Sequence, residues 1–331
     1  MNIPYKIQYP RNSIAAVGSA LVDMCLLEDD DFLASTGARK GGMTLSDADS
    51  IRNIISKSTK TPAVVPGGSA CNTILGIGKL GANARFIGKR GNDELGFLFE
   101  TGLKKHNVQP FLFASDSPTG HVLSIITPDA QRSMFTYLGA SAETHPDEMS
   151  GNLFKDTALV HIEGYLLFNE ALMMAVLKAA RASGALISLD LASYTVVETA
   201  KGLLEEICAQ YVDILIANED EARVFTGLND EEKALEKLAT KAPLAVLKVG
   251  KRGSYIAHDG IKFAIKPMGS GKAIDTTGAG DLWASGFLYG IVHGLSIEKS
   301  GQLGSACGYE VCQVVGASIP EDGWERIKML I

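Results

Sequence analysis

A chain of 331 residues with 46% hydrophobic side chains can bury a large core, which excludes wholesale disorder. A net charge of −7, with only short basic pairs such as Lys104-Lys105 and Lys251-Arg252, argues against a nucleic-acid surface. The cysteines (Cys25, Cys71, Cys208, Cys307, Cys312) have no C-x-x-C spacing, and neither a secretion signal nor an apolar run of membrane length stands out. A cytoplasmic protein without membrane or nucleic-acid partners is the expectation.

In chain order, residues 13–18 form a short apolar run ending in glycine and read as a buried first strand. Asp23 follows, where α/β proteins hold polar ligands, although a turn aspartate reads equally well. A short helix starts at 29–32, residues 40–45 read as flexible or extended, and Ser46 is expected to cap a helix reaching about residue 56. Residues 61–66 suggest a strand running into Gly67-Gly68-Ser69-Ala70-Cys71-Asn72 and a helix of small residues over 73–80. Two glycines at such an entry suit close packing or a ligand, Asn72 could bond a hydroxyl, and Ser69 could simply cap the helix. Gly76-Ile77-Gly78-Lys79-Leu80-Gly81 matches G-x-G-x-x-G, yet a dinucleotide fingerprint must follow a strand and open a helix, whereas this one ends a helix.

Residues 84–89 read as a strand and 93–106 as an amphipathic helix. Then 108–114, 120–127 and 133–138 read as strands without intervening helices, the last two joined by the turn Pro128-Asp129-Ala130-Gln131. Together with 21–45 they are expected to form a small second sheet. Residues 12–20, 46–107 and 139–331 form a large α/β domain in this reading, and 21–45 with 108–138 a β lid. Beyond 139, strands at 158–163, 185–190, 213–217 and 244–249 alternate with helices, and a hairpin turns at Asp259-Gly260. The fold class expected is α/β: a doubly wound, mostly parallel sheet flanked by helices, with the small β lid.

The polar residues that end these strands mark where ligands of parallel sheets bind: Asp23, Gly67-Gly68, Asp190, Asn218 with Glu221, and Lys248 with Gly250 and Gly253. Asn218 and Glu221, three apart at a helix start, could organise hydrated Mg²⁺ near phosphates or could form a capping box. Asp275-Thr276-Thr277-Gly278-Ala279-Gly280-Asp281 leads into an apolar helix whose free N–H groups suit a phosphate. Asp281 there could be a base beside that phosphate or an N-cap. A P-loop, a G-x-S-x-G elbow and histidines at ligand spacing are missing from the sequence, which disfavours P-loop, esterase and metalloenzyme chemistry.

With these motifs in order, the chain resembles the ribokinase-like (PfkB) carbohydrate kinase family, its adenosine-kinase branch most. The matching segments are 67–72, 88–96, Asn218-Glu219-Asp220-Glu221 and 275–281, and the resemblance runs from about 13 to 320. It implies an ATP-dependent kinase that phosphorylates a primary hydroxyl of a nucleoside, adenosine-like, or of a sugar such as ribose or a ketose. By the same resemblance Asp281 is the general base, and Gly278, Ala279 and Gly280 form the anion hole. Asp23, Gly67, Gly68 and Asn72 would bind substrate. Asn218, Glu221, Lys248, Gly250, Gly253, Ser305 and Arg132 would border the nucleotide or its phosphates. Glu221 would engage Mg²⁺ through water, and Asp275 and Thr277 would form a monovalent-cation loop, for K⁺. The family uses its lid sheet both bare and as a dimer interface, so a monomer and a homodimer through the lid are both open. The chain departs from adenosine kinases at Ser19 and at Gly41-Gly42-Met43, while Tyr165 and Leu166 stand where an aromatic wall is expected. The competing readings are a catalytically silent nucleotide sensor on the same fold, and a nicotinamide oxidoreductase suggested only by residues 76–81.

Overall fold

A computed structural model describes residues 11–129 and 131–331; Ala130, in the expected turn, lies outside the described residues. The chain opens with β1 (Ser13–Val17), β2 (Leu21–Leu27), α1 (Asp30–Ser35), β3 (Met43–Leu45) and α2 (Ala48–Lys57). Then come β4 (Ala63–Gly67), α3 (Ser69–Lys79), β5 (Asn83–Gly91), α4 (Glu94–Lys105), β6 (Val108–Ser115), β7 (Thr119–Ile126) and β8 (Arg132–Gly139). The second half contains β9 (Thr157–Glu163), α5 (Glu170–Ser183), β10 (Leu186–Asp190), α6 (Tyr194–Gln210), β11 (Ile214–Asn218), α7 (Glu219–Thr226), α8 (Glu231–Ala239) and β12 (Leu244–Lys248). It closes with β13 (Ser254–His258), β14 (Ile261–Ile265), α9 (Ala279–Val292), α10 (Ile297–Val311) and α11 (Glu321–Lys328).

The large sheet runs β14-β13-β12-β11-β10-β9-β1-β5-β6 and is parallel except at β13 and β14, which form the expected hairpin. Its strands alternate between two cores, as a period of two requires. Ile14, Ala16, Leu159, Ile216 and Val246 pack with α3, α4, α9, α10 and α11; Ala15, Val160, Ile187, Leu215 and Leu247 pack with α5 to α8. This is the doubly wound architecture the sequence implied. No helix among the described residues is long and apolar enough to cross a membrane.

The small sheet runs β3-β8-β7-β2-β4. Its membership corrects two strand assignments. Val108–Ser115, expected in the lid, instead pairs in parallel with β5 at the edge of the large sheet. Ala63–Gly67, expected in the large domain, pairs antiparallel with β2 in the lid. Strand neighbours in sequence usually neighbour in space, and the α4 crossover returns β6 beside β5. One face of the small sheet is covered by α1 and α2 through Leu26, Leu33, Ile51, Ile54, Leu123, Ile125 and Phe135. The other face looks onto the large domain. Local caps also differ: Asp47, not Ser46, caps α2 by accepting from the Ser50 amide.

α9 is buried on every side, and small residues let its neighbours approach. A Cβ on Gly76 of α3 would lie 2.5 Å from Ser285 Oγ, and one on Gly286 2.6 Å from the Leu303 carbonyl oxygen. The G-x-G-x-x-G match is thus helix packing within and just beyond α3, not a dinucleotide turn.

Candidate active site

On one face of the large sheet the apolar pattern changes to polar at the strand ends. Leu159 gives way to His161 and Glu163, Leu186 to Ser188 and Asp190, Ile216 to Asn218, and Val246 to Lys248. Period-two alternation places all of these on the face that carries α3 and α9. Register sets Asp190 opposite Glu163 and Asn218 opposite Lys248. A cavity of about 1000 Å³ opens above them, between this floor and the small sheet.

Asp281 stands in the first turn of α9, whose N-cap is Gly278 at φ +72°; Asp281 is therefore not the cap. Its carboxylate accepts from Ser69 Oγ at 2.7 Å and from Asn72 Nδ2 at 3.0 Å, and its carbonyl accepts from Thr73 Oγ1 at 3.1 Å. Ser69 therefore tethers the carboxylate and does not cap α3, which has no side-chain cap. Burial pushes the Asp281 carboxyl above its ordinary value, Asn72 and Ser69 pull it down, Asp190 adds to the rise, and Lys248 opposes it. Gly278, Ala279 and Gly280 line the cavity beside it.

Glu163 was not singled out from the sequence. It is buried, and accepts from the Ser19 amide at 2.8 Å and the Ala70 amide at 3.0 Å, tying the β1–β2 turn to the start of α3. A Cβ on Gly18 would lie 2.4 Å from Glu163 Oε2, so glycine is needed there. The rule that marked Asp23 and Asp190, a carboxylate ending a buried strand, would have found it.

Asn218 and Glu221 form a reciprocal capping box. The Asn218 amide donates to Glu221 Oε2 at 2.8 Å, Asn218 Nδ2 to Oε1 at 2.7 Å, and the Glu221 amide to Asn218 Oδ1 at 2.9 Å. Both also line the cavity. Burial raises the Glu221 carboxyl to about 7, with Asp190 contributing and Lys248 opposing.

The lid supplies Asp23 and Arg132. Asp23 is 8% exposed and accepts no hydrogen bond from another side chain among the described residues; burial raises it to about 7, Arg132 lowers it and Asp281 raises it further. A Cβ on Gly67 would fall 2.1 Å from Asp23 Cγ, so Gly67 lets the carboxylate lie against β4. Arg132 makes no ion pair among the described residues. Leu21, Met43, Leu45, Val122, Met134 and Leu138 make most of the lid wall apolar, with Ser124 and Thr136 as its other polar side chains, and Tyr165 and Leu166 enter from the large domain.

Some expected residues are elsewhere. Gly250 and Gly253 do not line this cavity; their φ of +54° and +99° serve the turn from β12 to β13, where the Val249 amide donates to the Gly253 carbonyl. Ser305 is buried within α10, also away from the lining, and its Oγ has no partner. Asp275 accepts from the Thr277 amide, Thr277 Oγ1 and the Gly316 amide at 2.9, 2.8 and 2.8 Å, so the pair ties the α9 entry loop to residue 316.

Comparison with known proteins agrees with this geometry. A family model described as pfkB family carbohydrate kinase matches residues 43–323. The chain is 32% identical over 269 residues to a 5-dehydro-2-deoxygluconokinase of Bacillus licheniformis, covering 76% of this chain and 81% of the relative. A probable sugar kinase from Rhizobium etli superposes with a TM-score of 0.91 at 30% identity, covering 97% of this chain and 99% of the other. An adenosine kinase from Sinorhizobium meliloti superposes with a TM-score of 0.90 at 29% identity, covering 97% and 100%. The chain belongs to the pfkB family of carbohydrate kinases, phosphotransferases with an alcohol group as acceptor.

Proposed function

We propose that this protein transfers the γ-phosphoryl group of ATP to a primary hydroxyl of a nucleoside or sugar, with Asp281 as general base. The observation that carries the reading is Asp281 itself, a buried carboxylate held by two donors beside the N-terminus of α9. The attacking hydroxyl gives its proton to Asp281 while the amides of Gly278 and Gly280 face the phosphoryl oxygens; the Ala279 amide donates to the Thr276 carbonyl at 3.2 Å and shapes the turn. A positioned base is worth roughly 10²–10⁴-fold and a preorganised donor about 10²–10³-fold. Asp23, whose carboxylate accepts no side-chain hydrogen bond among the described residues, and Asn72, whose Oδ1 has no partner among them, would take acceptor hydroxyls.

Glu221 fits a hydrated Mg²⁺: each oxygen has one protein donor and keeps a further lone pair toward the cavity. When bound, the ion would neutralise phosphate charge. We read the Asp275–Thr277 loop as a K⁺ loop: three protein donors fix the Asp275 carboxylate, which has about four acceptor positions. We also read the chain as a monomer, because α1 and α2 cover the lid face that a lid-to-lid dimer would use.

The apolar lid wall suits the flat face of a nucleoside base. A second reading, a sugar acceptor carrying a negative charge, is favoured by the unpaired Arg132 guanidinium and by similarity to a 5-dehydro-2-deoxygluconokinase. The test is ADP release from Mg-ATP against nucleosides, neutral sugars and sugar acids, with Asp281→Asn in parallel. Turnover on one class, reduced at least about 10³-fold in the variant with its melting temperature kept, is expected. ATP bound with no transfer to any acceptor would instead support a silent sensor, and full activity in Asp281→Asn would remove Asp281 as base.

A further inference from the structure

Asp190 and Lys248 form an ion pair that the binding roles above leave unexplained. Lys248 Nζ donates to Asp190 Oδ2 at 2.8 Å, and the side chains are 13% and 6% exposed. An ammonium can donate three hydrogen bonds, and this one makes a single bond among the described residues. Despite burial, Asp190, Glu221 and Asp281 around it hold the ammonium in its charged form, above its ordinary value. A Cβ on Gly280 would lie 3.0 Å from Lys248 Nζ, so the ammonium sits against the first turn of α9, the positive end of the helix dipole. The ammonium and the helix N-terminus thus meet at one spot of the cavity, kept charged by the carboxylates around it, and two such donors side by side suit a phosphoryl group.

A second observation concerns Asp190. Its other oxygen, Oδ1, accepts from the Ala192 amide at 2.9 Å. Ala192 has φ +65°, a left-handed conformation that costs a residue with a Cβ and persists where its surroundings enforce it. Both Asp190 oxygens are therefore fixed, one by a strained loop and one by the ammonium they orient.

We propose that Lys248 is a catalytic residue, its ammonium aimed at the phosphoryl group in transfer, and that Asp190, held by the Ala192 loop, is its positioning residue. The inference rests on the kinase reading above. In the step, a bond forms between the acceptor oxygen and the γ-phosphorus as the bond to the β-bridging oxygen breaks. That electron pair leaves with ADP, and the hydroxyl proton passes to Asp281. Lys248 keeps its proton throughout and stabilises charge on the transferred oxygens.

The test uses the full chain and a readout that does not require the acceptor to be known. Affinities for Mg-ADP alone and for Mg-ADP with aluminium fluoride, a mimic of the phosphoryl in flight, are measured by calorimetry. Lys248→Met is expected to weaken the fluoroaluminate complex roughly 10²-fold or more and Mg-ADP alone by less than about fivefold. Asp190→Asn should lower the fluoroaluminate affinity about tenfold with Mg-ADP binding unchanged, a split that a merely structural role would not produce. Because removing the lysine leaves Asp190 buried and unpaired, the double variant Lys248→Met/Asp190→Asn is measured too, and is expected to show the Lys248→Met pattern at wild-type melting temperature. Equal losses for both ligands, or no loss for the fluoroaluminate complex, overturn the proposal. Failure of the kinase reading shows separately, as wild-type protein that turns over no acceptor.

Discussion

The two walls of the cavity differ in how far their polar groups are satisfied. On the floor, Asp281, Asp190, Glu163 and Glu221 each accept at least two hydrogen bonds from fixed donors, and Lys248 has its counter-ion. On the lid, Asp23 and Arg132 face the same space with no hydrogen bond or ion pair of their own among the described residues. Reaction chemistry common to all acceptors needs preorganised groups, because reorganisation during the step adds to the barrier. Recognition of one acceptor needs groups whose partners arrive with it. On the proposed mechanism, the floor serves the step and the lid the guest.

The largest effect that would break this contrast lies on the floor. Gly278 has φ +72°, and a Cβ there would meet Ala317 Cβ at 2.6 Å. Gly278→Ala should therefore lower turnover roughly 10²-fold by displacing the first amides of α9, and destabilise the fold by about 1–2 kcal/mol. Turnover within about threefold of wild type would show that the α9 entry is not preorganised. Next, Arg132→Met should raise KM roughly 10–100-fold for an acceptor carrying a carboxylate or phosphate, the worth of a charge-assisted bond. A neutral acceptor should change less than about twofold. Equal effects on both would assign Arg132 to the nucleotide side.

The smallest effect is on stability. The folded Asp23 carboxyl titrates at about 7, above its ordinary 3.8, because burial disfavours the charge. A raised acid stabilises the fold fully below its unfolded value and loses that contribution as pH rises through the folded one. Without ligand, Asp23→Asn should melt like wild type near about pH 4 and on the order of 2–5 °C higher near about pH 8. Identical melting at both pH values would mean that Asp23 is solvated, and would remove the lid half of the contrast.

Much of the floor was legible because its signals are local. The 275–281 loop, the Asn218–Glu221 spacing and the apolar runs that end in polar residues each need only a few neighbouring residues. What the sequence could not show depends on partners distant in the chain. Sheet membership of Val108–Ser115 and Ala63–Gly67 is decided by pairing with β5 and β2, not by their own composition. Asp190 was visible as a strand end, but its pairing with Lys248, 58 positions away, was not. Nor could the left-handed Ala192 be read, since alanine gives no sign of φ > 0. Ser69 looked like a helix cap because its type suits one; its hydroxyl is taken by Asp281, 212 positions on.

The packing of α9 has a consequence for how such a protein changes over time. Gly76, Gly286 and Gly290 each press against a neighbour so closely that a single added carbon would collide. A helix gripped in this way has almost no neutral drift available, and the turn at its head, which we propose to face phosphate, inherits that rigidity. The lid carries such a constraint at Gly67, beside Asp23, but Met43, Leu45 and Leu138 on its cavity face are exposed. New acceptor preferences in this architecture can therefore be acquired by altering the lid, while the apparatus for moving the phosphoryl group is inherited whole.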